Sequence, residues 1–322
     1  MRRRRRNILG ITGGIAAVAV VGVGVLMFLN RPLSRSELDQ AVAEQLRAAV
    51  AEDDSLSSAL LTVYAARDDR VLQYAVGTVR PGSDEAARTD SPYHSASVGK
   101  TMLATVFGQL VDEGAVEFDE PIATWLDTQT LDGLFVVDGT DHASEVTIAQ
   151  LLSHTSGIAD YFEGPVTSGA TLLEQIAADP DRQFTPETLL AFSRDHQEPV
   201  GAPGTMFSYS DTGDVLVGLV LEQIEGRAYA DILDQRLFQP LGMADSHLMT
   251  RFGADSDILA LTLDGIDLSE RAALSVDWAG GGVVTTMDDL LRFSRALHEG
   301  ELVSADVLDV FTDFSREMEN GI

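Results

Sequence analysis

Ser97 and Lys100 stand three residues apart at the head of an apolar run, Met102, Leu103, Val106, Phe107, Leu110 and Val111, that recurs at helical spacing and stops at Gly114. Positions three apart on a helix share a face, so this hydroxyl and this amine can address one point. A serine hydroxyl is a poor nucleophile until a neighbouring base takes its proton. Lysine can be that base when burial lowers its pKa, whereas a guanidinium keeps its proton in any protein setting. The composition sharpens the reading, because among 22 Lys and Arg side chains Lys100 is the only lysine. Arginine does every other cationic job in the chain, and the one amine sits beside a serine.

These residues need a scaffold, and the chain supplies one. With 322 residues and 45% hydrophobic content it can bury a large core. The net charge is −29 even with Arg2 to Arg6 counted, which excludes nucleic acid as a partner. With no cysteine, disulfides, thiol catalysis and Cys-linked lipid anchors are excluded too. The arginine run precedes an uncharged apolar segment, Ile8 to Leu29, whose length as a helix would be about 33 Å, enough to span a bilayer. Arginines stay on the cytoplasmic side, which sends everything after Asn30 outward. A cleaved signal peptide is the competing reading. It is disfavoured because no small-x-small site follows the apolar segment and Leu-Met-Phe-Leu-Asn-Arg stands there instead.

Beyond the anchor, Leu38, Val42, Leu46 and Val50 predict an amphipathic helix over Ser36 to Ala51. Leu60 to Ala66 and Val71 to Val79 read as strands around Arg67-Asp68-Asp69-Arg70, a hairpin turn. The stretch from Phe118 to about Glu198 reads as helices separated by loops, with a short helix over Val146 to Leu152 that ends at Ser153-His154-Thr155-Ser156-Gly157. Gly201 to Gly204 is a loop, followed by Phe207-Ser208-Tyr209-Ser210-Asp211 and an apolar helix over Val215 to Ile224. Trp278 to Thr286 carries three glycines and then Val283 and Val284, a strand pattern with close backbone approach. Asp288 to His298 is a further helix.

Three features therefore occur in order: Ser97-x-x-Lys100, His154-Thr155-Ser156-Gly157, and Tyr209-Ser210-Asp211 with Gly213 behind it. As a set, from roughly Leu60 onward, they resemble the serine β-lactamase and penicillin-binding protein superfamily, specifically its class C-like serine hydrolases. The resemblance implies an α+β fold, an antiparallel sheet flanked by helices with a helical lobe. It also implies that Ser97 is acylated, that Lys100 takes its proton and that Tyr209 relays protons. A phenol beside an ammonium has its own pKa lowered, so Lys100 and Tyr209 form a coupled pair in which either can be the formal base. Asp211 stands where many relatives have Asn, and as a carboxylate it only accepts hydrogen bonds. It is a candidate substrate-binding residue, or else a partner that holds Lys100 protonated and shifts the base role to Tyr209. A His154–Ser156 pair is rejected, since two residues of one tight turn do not face each other and no G-x-S-x-G elbow is present. The six histidines show no zinc spacing, so neither a metal nor any other cofactor is expected.

The sequence thus predicts a cytoplasmic arginine run and transmembrane anchor over residues 1–30, a juxtamembrane helix and linker over 31–58, and a hydrolase domain over 59–322. The expected function is that of a single-pass, membrane-anchored extracytoplasmic serine hydrolase acting on an amide or ester. Its substrate would be a peptidoglycan stem peptide or other small molecule. A true β-lactamase is the alternative, and a catalytically idle module that binds wall fragments or β-lactams is the rival of another class. Superfamily members carry a third motif, K-T-G or H-x-G, on a late strand beside the pocket. The sole match is His298-Glu299-Gly300, which reads as a helix stop, so the domain is expected to lack its C-terminal strands and with them a complete site.

Overall fold

The computed structural model describes residues 34–249, 258–263 and 265–313. The expected anchor, Ile8 to Leu29, lies outside the described residues. Among those described, no helix is long and apolar enough to cross a membrane. The chain forms two compact units that divide between Thr89 and Asp90.

In the first unit, Ser34 starts the helix Arg35–Glu52 with a capping box, its hydroxyl accepting from Glu37 N–H while the Glu37 carboxylate accepts from Ser34 N–H. Leu46 is its buried contact. Strands Ser58–Ala65 and Arg70–Gly77 pair antiparallel from Ser58 opposite Gly77 to Ala65 opposite Arg70. Asp69 makes the turn possible by adopting a left-handed backbone, φ 45°, a conformation that Asp tolerates better than most residues. The Tyr74 hydroxyl donates to Asp39 Oδ1 at 2.7 Å and ties hairpin to helix.

In the second unit, an antiparallel sheet of three short strands runs in the order Tyr93–His94, Val283–Thr285, His247–Leu248. The late strand is therefore central. The helix Gly99–Asp112 buries Met102, Leu103, Val106 and Phe107 completely, and each such side chain contributes about 1.5–3 kcal/mol of burial free energy. The helix Asp211–Glu225 is stopped by Gly226 at φ 66° and presents Val215, Leu216, Val217, Val220 and Leu221 to the same core. The helical lobe consists of Ile148–Leu152, Leu172–Ala178 and Pro186–His196, each started by a threonine cap, Thr147, Thr171 and Thr185. This is the expected α+β class.

The structure departs from the sequence reading at Trp278–Thr286. Trp278–Gly281 is a turn of helix, and the strand begins only at Val283, because the glycines are used for close packing rather than for pairing. His298 ends the helix Met287–His298, with Gly300 N–H bonded to Leu297 O at 3.1 Å, so His298-Glu299-Gly300 is the helix stop that its sequence suggested.

Candidate active site

Ser97 lies in a single 3-10 turn, Ala96–Val98, that runs directly into the helix carrying Lys100. Ala96 holds φ 47°, a strained conformation for a residue with a side chain, and its N–H donates to His94 Nδ1 at 3.2 Å. Gly281 packs against this turn so closely that a Cβ there would lie 2.3 Å from Ala96 O, and a Cβ on Gly99 would lie 2.9 Å from Gly281 Cα. Backbone meets backbone, which is the close approach that the glycine run implied.

Ser97 Oγ accepts from the Tyr209 hydroxyl at 2.9 Å and from Lys100 Nζ at 3.3 Å. Lys100 Nζ also donates to Asp211 Oδ1 and to the Gly280 carbonyl, each at 2.5 Å, and lies 3.6 Å from Asp214 Oδ2 and 5.0 Å from the centre of the Tyr209 ring. Burial alone would push the lysine pKa down, but the charges of Asp211 and Asp214 outweigh it and push it up. Lys100 rests as an ammonium. Burial raises Asp211 to about 6 despite the attraction of Lys100, and raises Asp214 to about 8.

The structure therefore brings together all four residues singled out in the sequence, Ser97, Lys100, Tyr209 and Asp211. It takes Asp211 as the partner of Lys100, one of the two roles left open for it. For Tyr209 the sign differs from expectation. Burial and the nearby Asp211 carboxylate raise its pKa and outweigh the lowering by Lys100, so the phenol is neutral and donates to Ser97.

His154-Thr155-Ser156-Gly157 positions the tyrosine. The carbonyls of His154, Thr155 and Gly157 accept from the N–H groups of Ser208, Gly204 and Val200 at 2.7–2.8 Å, pinning the loop ahead of Tyr209. The His154 ring lies 4.3 Å from the Tyr209 ring, and its Nδ1 accepts from Ser210 N–H at 3.3 Å. Burial and the charge of Lys100 lower its pKa to about 4, so it packs as a neutral imidazole. Ser156 is buried and its hydroxyl accepts from Ile158 N–H within its own turn. The next helix is seated by Asp160, whose Oδ1 accepts from Asp211 N–H at 3.1 Å.

Sequence reasoning missed three members of the site: Asp214, the Gly280 carbonyl, and His154 as the support of Tyr209. Asp214 did carry a signal, since it follows Asp211 by three, the same face-sharing interval as Ser97 and Lys100. Among the described residues no group of acidic, His or Cys side chains could hold a metal ion.

Residues 11–321 match the Beta-lactamase family model. The chain is 31% identical over 248 residues to Penicillin-binding protein 4 of Amycolatopsis lactamdurans, covering 74% of this chain and 59% of that one. It is 24% identical over 253 residues to the D-aminopeptidase of Brucella anthropi, covering 78% and 42%. The chain thus spans 59% and 42% of the length of these two curated relatives. Among solved structures, a D-stereospecific amidohydrolase from Streptomyces sp. superposes with a TM-score of 0.71 at 27% identity, covering 85% of this chain and 77% of that one. The D-amino acid amidase from Ochrobactrum anthropi SV3 in complex with L-phenylalanine amide gives a TM-score of 0.69 at 25% identity, over 85% and 73%. With its serine, lysine and tyrosine converging as the motifs of the sequence implied, this chain belongs to the Beta-lactamase family.

Proposed function

We propose that the protein is a serine hydrolase that cleaves an amide or ester through an acyl-Ser97 intermediate. The observation that carries this reading is the convergence of the Tyr209 hydroxyl and Lys100 Nζ on Ser97 Oγ, at 2.9 and 3.3 Å. As attack begins, one Nζ proton of Lys100 passes to Asp211 Oδ1 and frees a lone pair, which takes the Ser97 hydroxyl proton while Oγ bonds to the carbonyl carbon. The Tyr209 hydroxyl then protonates the leaving nitrogen or oxygen as its bond to carbon breaks, Lys100 returns a proton to the phenolate, and Asp211 hands its proton back to Lys100. Water repeats the sequence in reverse to release the acid and restore Ser97.

The named activities of the relatives, D-aminopeptidase and D-amino acid amidase, support an amide of a D-configured amino acid as substrate. Peptidoglycan stem peptides and β-lactams are the other substrates to be tried. We place the domain outside the cell, held by Ile8 to Leu29 as an uncleaved anchor, on the arginine run and the length of the apolar segment.

A fluorophosphonate probe followed by mass spectrometry tests the nucleophile. The expected adduct is on Ser97, and labelling that survives Ser97→Ala rejects the reading. A panel of D-amino acid amides, nitrophenyl esters and β-lactams then sets the substrate class, and stoichiometric acylation without turnover of any of them points instead to a binding or sensing module. Protease shaving of intact cells tests the anchor, and a soluble product that begins near Arg31 overturns it.

A further inference from the structure

Asp214 is an ionisable residue in the apolar helix Asp211–Glu225, 2% exposed and walled in by the core. Its Oδ2 has no hydrogen-bond partner among the described residues, and its ion-pair partner is Lys100 Nζ at 3.6 Å. Lys100 is thus one cation between two buried carboxylates, and it can balance the charge of only one of them. Asp211 Oδ1, which accepts from Nζ at 2.5 Å, is the one whose charge is satisfied. Asp214 Oδ2, buried, 3.6 Å from Lys100 Nζ and with no hydrogen bond among the described residues, is where a proton costs least.

We propose that Asp214 is a positioning residue that gates Lys100 through its own protonation. While protonated it leaves the lysine held by Asp211 alone, and once ionised it clamps the ammonium and shuts off the base. The inference rests on the acyl-Ser97 reading above. In the gated step no bond to substrate changes. The Asp214 O–H bond breaks, its proton goes to solvent, and the Nζ–H bonds of Lys100 are held against transfer to Asp211. The other groups that face Asp214 are Asp160, whose charge adds to that of Asp211 in favouring the protonated form, and the buried phenols Tyr161 and Tyr229, which stay neutral because burial raises both. The raised pKa of Asp214, about 8, puts the gate on the alkaline side of neutrality.

The gate predicts an alkaline fall that an ordinary lysine base would not show, since deprotonating a general base raises its activity. The rate of Ser97 labelling by fluorophosphonate should drop about tenfold per pH unit once Asp214 ionises, and Asp214→Asn, which mimics the protonated acid, should abolish the fall and exceed wild type at least about tenfold near pH 9. A second measurement does not depend on the variant folding. Because Lys100 is the only lysine, 15Nζ-lysine labelling gives a single side-chain signal, and in wild type its shift should inflect where the labelling rate falls. An alkaline fall that persists in Asp214→Asn, or a lysine signal with no inflection there, overturns the inference. Wild-type protein that labels at no residue overturns the acyl-serine reading instead.

Discussion

The Tyr209 ring packs 4.3 Å from the ring of His154, tilted by 35°. The histidine is neutral, since burial and Lys100 lower its pKa to about 4, and it acts on the site by shape and by holding the backbone that follows the tyrosine. The phenol is thereby held against Ser97, to whose Oγ it donates at 2.9 Å.

Lys100→Arg keeps the charge and removes the transferable proton. The Arg variant should lose acylation by about 10²–10⁴-fold, the usual contribution of a general base, while its fold, read by circular dichroism, is kept. Acylation at the wild-type rate in this variant would remove Lys100 from the reaction.

Tyr209→Phe retains the ring against His154 and deletes the hydroxyl that donates to Ser97 at 2.9 Å. Because this hydroxyl is on a half-exposed ring, the melting temperature should move little. The value of kcat should fall by about 10²-fold or more with KM nearly unchanged, since the lost group serves the leaving group in the transition state.

Stability should depend on pH through His154 and Asp214 with opposite signs. The folded pKa of His154, about 4, lies below its unfolded value of 6.5. Its contribution is therefore present above pH 6.5 and lost as pH falls through 4, on the order of 3 kcal/mol. Asp214 is raised from 3.8 to about 8, so its contribution is present below about pH 4 and lost as pH rises through 8. Urea midpoints across this range should show His154→Asn flattening the rise in stability between about pH 4 and 6.5, and Asp214→Asn flattening the fall between about pH 4 and 8. Parallel curves for variant and wild type would contradict either assignment.

Gly281→Ala places a methyl 2.3 Å from Ala96 O, on backbone that has nowhere to retreat. The Ala96–Val98 turn must shift, and acylation should fall by about 10²-fold, the cost of a misplacement of roughly 1 Å. The expected thermal signature is a lowered melting temperature, and a variant of wild-type stability and rate would show that the contact is slack.

Much of this site is legible in the sequence because side chains and periodicity announce it. The interval from Ser97 to Lys100, the apolar repeat behind it and the turn at Asp69 each follow from local geometry, and the structure places each where the pattern puts it. Asp214 was hidden by its company, since in a chain with 51 acidic residues one more aspartate reads as surface charge. The Gly280 carbonyl has no sequence signature, as every residue carries a carbonyl. The direction of the Tyr209 shift was out of reach for another reason: it depends on the balance of Lys100, Asp211 and burial, which only coordinates supply.

The strand Val283–Thr285 occupies the middle of its sheet, between Tyr93–His94 and His247–Leu248, and the adjoining Gly280 and Gly281 complete the surroundings of Lys100 and Ser97. A ribosome makes that strand nearly 200 residues after the nucleophile. A growing chain can form the Lys100 helix early, but its hydrolytic centre must stay unassembled until the keystone arrives, so the polypeptide is chemically silent for most of its own synthesis.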